Sequence, residues 1–375
     1  MAKAPDMEIP APRENALLIG HAAAEAQFIE EFTRGTLHHA YLMTGPKGIG
    51  KATMAYRLAR YVLGQGAQSA KREEASSLAL FSDEPTHHAP RATHHESADS
   101  PIFRRIAAGS HTDLLTLSPA YDSKKHVEKS TIGVEEARKV PEFLSLTPAE
   151  GDWRVVIVDA VDQLNANAAN ALLKTIEEPP PRALILLICH APGGILPTIR
   201  SRCRKLALTA PDATAFAEIL HRVAPAIETH DYAALYALSY GSPGHAITLY
   251  QAGGLGLYEG WLAAMMPDGA PATRQKFADS AAAQKSPEAW AALIHGWEVA
   301  MQRLTLYPHY AATQPIFRRE AEMLAAIAAA TPPTLRAQWA AQGRALIAQT
   351  ETFHLDKRYT VRMLTDPAQL MLAAA

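Results

Sequence analysis

At 375 residues, 48% hydrophobic and 20% charged, the chain has material for a substantial core and divides by size into two or three domains. A formal net charge of −2 excludes whole-molecule attraction to nucleic acid or to an anionic membrane, so such contacts fall to local patches or partners. The N-terminus lacks a basic segment followed by an apolar run, the apolar stretch 183–190 is too short to span a bilayer, and the two cysteines, Cys189 and Cys203, suggest no disulfide framework; a cytoplasmic protein without membrane partners is expected.

In chain order, residues 21–33 have helical periodicity, and "HAYLMTG" reads as a short buried strand entering a glycine loop. The spacing predicts a helix over "KATMAYRLARYVLG", with Leu58, Tyr61 and Val62 on one face and Gly64 as its stop. From about 66 to 100 the composition turns to Ser, Ala, Glu, Pro and His, the mark of a poorly ordered insertion. "DLLTLSP" predicts a strand and "TIGVEEARKVPEFLSLTP" a helix capped by Ser130 or Thr131. The β-branched run "WRVVIVDAVDQLN" predicts a strand buried on both faces of a parallel sheet. A helix, "ANAANALLKTIEE", follows and stops at Pro179, and the strands "ALILLIC" and "KLALTAP" complete an α/β nucleotide-binding domain over about 1–208. Beyond Pro211 only helical patterns recur, in short segments to about 254 and in alanine-rich helices over 255–375.

The chemistry concentrates in three motifs. Gly45, Pro46, Lys47, Gly48, Ile49, Gly50 and Lys51 fit G-x-x-x-x-G-K, in which glycines let backbone N–H groups converge on phosphate, a helix N-terminus adds positive potential and the lysine adds a charge. The pattern then fails. Ala52 stands where a hydroxyl would hold Mg²⁺, and Thr53 is one helical step, about 100°, around the axis. In the second motif, "VVIVDAVD", Asp159 can face a metal, but Ala160 replaces the acid that would orient an attacking water, and Asp162 reads best as the cap of the following helix. The third is "PTIRSRC", residues 197–203.

Together, "ALLKTIEEPP" and "LPTIRSRC", with "PRENALLIGH", "HAYLMTGPKGIGK", "YGSPGHAI" and "FHLDKRYTVRML", resemble the bacterial clamp-loader subunits of DNA polymerase III, a family of AAA+ proteins. The damaged loop and the Asp-Ala pair resemble its non-hydrolysing members rather than its gamma/tau motors. The resemblance implies a RecA-like AAA+ domain over 1–208, a parallel sheet flanked by helices with 66–100 as an insertion, then a small helical lid over 209–254 and an all-α collar over 255–375. By position, Arg202 is the residue that such proteins extend into a neighbouring subunit's ATP site, a task suited to a permanently charged, forked guanidinium. Arg200, Arg204 and Lys205 read as solvated charges.

Three further readings come from departures and neighbours. Gly244-His245 replaces the sensor arginine of active relatives, which reinforces a silent site. The insertion has no cysteine where related subunits carry a four-cysteine zinc module, and His87, His88, His94 and His95 lack the spacing of a metal site, so no zinc is expected. His190, at a sensor position, is within reach of a nucleotide phosphate. The sequence thus leads to a subunit with no intrinsic catalysis, part of an ATP-driven complex of the polymerase holoenzyme. ATP or ADP would bind weakly or not at all, without Mg²⁺. The expected partners are gamma/tau and delta subunits, with the sliding clamp and primed DNA met through the complex. The alternatives are an ATP-hydrolysing motor in which Thr53 replaces the lost hydroxyl, and a DNA-binding initiator; the latter lacks a basic recognition module here.

Overall fold

The computed structural model describes Met7 and residues 9–78, 100–119, 121–122, 127–128, 131–283, 286–307 and 315–374. Contacts divide the chain into two units, Ile9–Pro211 and Asp212–Ala375 together with the Met1–Glu8 end.

The first unit runs α1 (Ala22–Thr33), β1 (Ala40–Thr44), α2 (Lys51–Leu78), α3 (Pro101–Ala107), β2 (Leu114–Leu117), β3 (Tyr121–Asp122), β4 (Val127–Glu128), α4 (Val134–Ser145), β5 (Arg154–Asp159), α5 (Ala166–Glu177), β6 (Ala183–Ile188), α6 (Pro197–Arg202) and β7 (Arg204–Ala207). Five strands form a parallel sheet in the order β2-β5-β6-β1-β7, and β3 and β4 make a separate two-residue antiparallel ribbon that the sequence did not announce. Alternation assigns side chains to two cores. Along β5, Val155 and Ile157 join Phe28, Met54, Leu58 and Val62 on one face, whereas Val156 and Val158 join Val140, Leu172 and Ile199 on the other. Full burial of such aliphatic side chains contributes about 1.5–3 kcal/mol apiece, which is why continuous apolar runs select a sheet covered on both sides.

Three local expectations are corrected. Helix α2 continues through Gly64 to Leu78; one glycine inside a helix costs only about 1 kcal/mol, and the Ala, Gln, Lys, Arg and Glu that follow favour helix. The remainder of the expected insertion, 79–99 with its four histidines, lies outside the described residues. Helix α4 is not capped by Thr131, because Ile132 is held extended by bonds from its N–H to Gln163 O (2.8 Å) and from Asn165 N–H to its carbonyl (3.2 Å), which shifts the cap to Gly133; Ser130 lies outside the described residues. Nor does Asp162 cap α5. Asn165 does, its Oδ1 accepting from Ala168 N–H at 2.8 Å.

The second unit holds two hydrophobic clusters. Helices α7 (Ala213–Val223), α8 (Tyr232–Leu238) and α9 (Pro243–Gln251) gather Phe216, Leu220, Leu235 and Ile247, with Met7 packed against them. Helices α10 (Gly254–Met265), α11 (Pro271–Ala282), α12 (Pro287–Thr305), α13 (Glu320–Ala330), α14 (Pro333–Phe353), α15 (Lys357–Leu364) and α16 (Pro367–Ala374) follow; Trp261, Trp297 and Trp339 dominate their core. Gly343 lets α14 approach α12 closely, since a Cβ there would lie 2.2 Å from the Trp297 ring. Buried Glu320 accepts from Arg303 at 2.6 Å, from the Tyr258 hydroxyl and from Ile316 N–H, the satisfied state a buried carboxylate requires. No helix among the described residues is long and apolar enough to cross a membrane.

Candidate functional site

The glycine loop leaves β1 at Thr44 and enters α2 at Lys51, the strand-loop-helix setting that a phosphate cradle needs. Gly45, Gly48 and Gly50 have φ of +145°, +83° and +97°. At Gly45 a side chain is excluded twice over, by the positive φ and because a Cβ would fall 2.3 Å from Leu208 O. His21, the last residue of "PRENALLIGH", is buried and donates from Nε2 to Ile49 O at 2.7 Å, pinning the loop to the start of α1.

Lys51 does not project from this cradle. It is 2% exposed, and its ammonium donates to two carbonyls of its own loop, Gly45 O at 2.7 Å and Pro46 O at 2.5 Å. Burial pulls its pKa down to about 8, against the opposing pull of Asp159 and Asp162. Ala52, half-buried against the core, has no metal ligand to offer, and Thr53 is buried within α2. Asp159 ends β5 near Lys51; burial raises its pKa, with Lys51 and Lys47 pulling it back. Ala160, buried, supplies no acid beside it.

Asp162, expected as a cap, instead accepts from the backbone N–H groups of His190 (2.9 Å) and Ala191 (3.2 Å), tying the loop after β6 to the loop after β5. This places His190 beside the acid, with Nε2 3.8 Å from Asp159 Oδ1. Burial, then Lys51, lowers the His190 pKa, so the ring stays neutral, and its buried Nδ1 has no hydrogen-bond partner among the described residues. Cys189, with its thiol pushed up to about 11 by burial, is a core residue. The chemistry of this donor set fits an anion held by backbone amides better than a metal-bound triphosphate: the metal hydroxyl and the second acid are absent and the lysine is engaged. Among the described residues no cluster of His, Cys, Asp or Glu is arranged to hold a metal ion.

Arg202 sits apart from all of this. It ends α6, and β7 begins two residues later, parallel to β1 with Arg204 opposite Tyr41 and Ala207 opposite Thr44. The glycine loop follows Thr44 at the C-terminal end of β1, whereas Arg202 precedes the N-terminal end of the neighbouring parallel strand β7, so Arg202 and the loop lie at opposite ends of the strands. At about 3.3 Å per residue the four residues from Tyr41 to Gly45 already span about 13 Å along the strand, with Arg202 further back still. Its side chain is 40% exposed; Nε contacts Glu177 Oε1 at 2.9 Å and Nη1 donates to Thr198 O at 3.1 Å. Ile199, buried in the core, anchors α6, and Cys203 is half-buried with its thiol pushed up to about 12.

Arg204, expected as a solvated charge, is exposed but also makes an ion pair. Its Nη2 lies 2.6 Å from Glu31 Oε1, and Glu31 also accepts from the Tyr41 hydroxyl, whose pKa burial raises. The glycine loop, Asp159 and His190 are thus brought together, and Arg202 is set apart. Sequence reasoning missed Glu177, His21, Glu31 and the role of Asp162; nothing local marks them, because the partners in these contacts are 25 to 173 residues away in sequence.

The model of the family described as "DNA polymerase III, delta subunit" matches residues 20–89 and 78–212. The chain is 35% identical over 205 residues to the DNA polymerase III subunit delta' of Pseudomonas aeruginosa, an alignment covering 55% of this chain and 53% of that protein. It is 32% identical over 225 residues to the delta' subunit of Escherichia coli, covering 60% and 58%, and 28% identical over 201 residues to the E. coli subunit tau, covering 54% and 26%. The chain therefore spans about half the length of the curated delta' relatives it matches.

Proposed function

Because this chain belongs to the delta-prime family of DNA polymerase III clamp-loader subunits, we propose that it is a non-hydrolysing member that completes a neighbouring subunit's ATP site with Arg202. The observation that carries this is the separation of the two cations. The lysine that would serve this chain's own phosphate site is buried on loop carbonyls, whereas Arg202 is exposed at the opposite end of the strands, beyond reach of that site. A guanidinium so placed serves a phosphate only if another subunit brings one. Arginine fingers acting in trans change turnover by about 10³–10⁵-fold.

The chain's own loop would hold ATP or ADP weakly or not at all, and without Mg²⁺, since Ala52 and Ala160 remove a metal ligand and the water-orienting acid. The lid, 209–254, and the collar, 255–375, would join it to gamma/tau and delta subunits in the cytoplasm, and the assembled complex would meet the sliding clamp and primed DNA. The test has two arms. The isolated chain with Mg²⁺-ATP should show no turnover above background, and it should co-purify with the motor subunit. Steady hydrolysis by the isolated chain, abolished by Lys51→Met, contradicts the proposal.

A further inference from the structure

Glu177 closes α5 next to Glu178, so two acids stand where the helix already presents its negative end. A local electrostatic misfit of this kind marks sites shaped by function rather than by stability. The Glu177 carboxylate meets Arg202 Nε at 2.9 Å, and Thr198 O accepts from Nη1 at 3.1 Å, while Nη2 has no partner among the described residues. Both sides of this contact hang from one strand. His39 Nε2 donates to Ile176 O at 2.8 Å, tying the last turn of α5 to the start of β1, and Arg202 leads directly into β7, which pairs with β1. Cys203, between Arg202 and that strand, is half-buried, which limits the swing of the loop.

We propose that Glu177 is a positioning residue for Arg202, gripping the guanidinium by Nε so that its Nη2 end faces outward for phosphate oxygens of the adjoining subunit. This rests on the reading of Arg202 as a finger in trans. The contact orients rather than sequesters: an ion pair with both partners this exposed is too weak to withhold a guanidinium from a multiply charged triphosphate. What the pair supplies is a narrowed range of approach. A misplaced catalytic group slows a reaction even when its charge is kept.

The experiment uses the clamp-loader complex reconstituted with motor and delta subunits, following ATP turnover against ATP concentration. Glu177→Ala should lower kcat about 3- to 10-fold, well inside the roughly 10²-fold that misplacement can cost, with KM for ATP and the melting temperature of the free subunit unchanged. Glu177→Gln, which keeps an oxygen acceptor for Nε, should recover most of the loss. In an Arg202→Ala background, Glu177→Ala should add nothing, because its effect passes only through the guanidinium. Turnover at or above the wild-type level in Glu177→Ala, with Arg202→Ala strongly impaired, overturns the positioning role and leaves the finger standing; a further loss in the double variant overturns it as well. If Arg202→Ala alone leaves turnover intact, the finger reading itself fails and this proposal falls with it.

Discussion

The two ends of the parallel strands carry the same kind of group in opposite states. At the C-terminal end Lys51 is buried, bonded to its own loop and shifted toward neutrality; at the N-terminal end Arg202 is exposed, permanently charged and anchored, among the described residues, through Nε and Nη1. A cation meant for phosphate must stay charged and accessible. By that criterion Arg202 is equipped and Lys51 is not, and Arg202 lies at the end of the strands away from the chain's own loop. Positive charge near a phosphate loop is therefore a poor guide to activity unless its burial and partners are known.

The contrast between the two ends of the strands fails most visibly if the exposed Arg202 is inert. In the reconstituted complex Arg202→Ala should reduce hydrolysis at the site it serves on the order of 10³-fold, while the melting temperature of the free subunit stays within experimental error, since its pair with Glu177 is exposed. Next in size, Gly45→Ala should cost about 2–4 kcal/mol, through a strained φ and a Cβ 2.3 Å from Leu208 O, a loss readable as a fall in denaturant midpoint. A mild effect would mean that the loop is far more pliable than its packing against β7 implies.

The buried lysine has a pH signature. Lys51 titrates near pH 8 when folded and near 10.5 when unfolded, so between those values the unfolded chain binds more protons and stability rises with pH. Below about 8 both states are protonated and the burial penalty is felt in full. Relative to Lys51→Met, the wild-type protein should therefore gain on the order of 2 kcal/mol between pH 8 and pH 10, checked by paired urea titrations; no relative gain would mean that the ammonium is better solvated than its 2% exposure indicates. The smallest expected effect sharpens the contrast along the Ser-Arg-Cys segment itself. Arg204→Ala should cost about 1 kcal/mol or less, because its half-exposed guanidinium pairs with Glu31, and complex turnover should hold near the wild-type level, unlike that of Arg202→Ala.

Much of this was legible in the sequence, and the reasons differ by element. The runs at 154–159 and 183–188 could only be strands covered on both faces, and they are. The glycine spacing at 45, 48 and 50 marked a phosphate-type loop, whose three glycines take positive φ, and Ala52 and Ala160 declared their missing functional groups by identity alone. What failed was read from local rules that tertiary partners override. Gly64 was a stop signal that good helix formers downstream outweighed. Asp162 sat at capping distance, but two N–H groups 28 and 29 residues away claimed its carboxylate. Arg204 and Arg202 look alike in "RSRCRK", yet one turns toward Glu31 and the other toward Glu177, because Arg202 ends α6 beside α5 whereas Arg204 opens β7 beside α1. Lys51, the residue most strongly indicated by motif, proved to be withdrawn from solvent, which no spacing could disclose.

The most direct measurement is single-turnover ATP hydrolysis by the reconstituted complex, with this subunit carrying either Arg202→Ala or Lys51→Met. The account predicts that the first change removes the fast phase belonging to the adjoining motor site and that the second leaves every phase intact. Loss of a fast phase in Lys51→Met, with all phases preserved in Arg202→Ala, would contradict it.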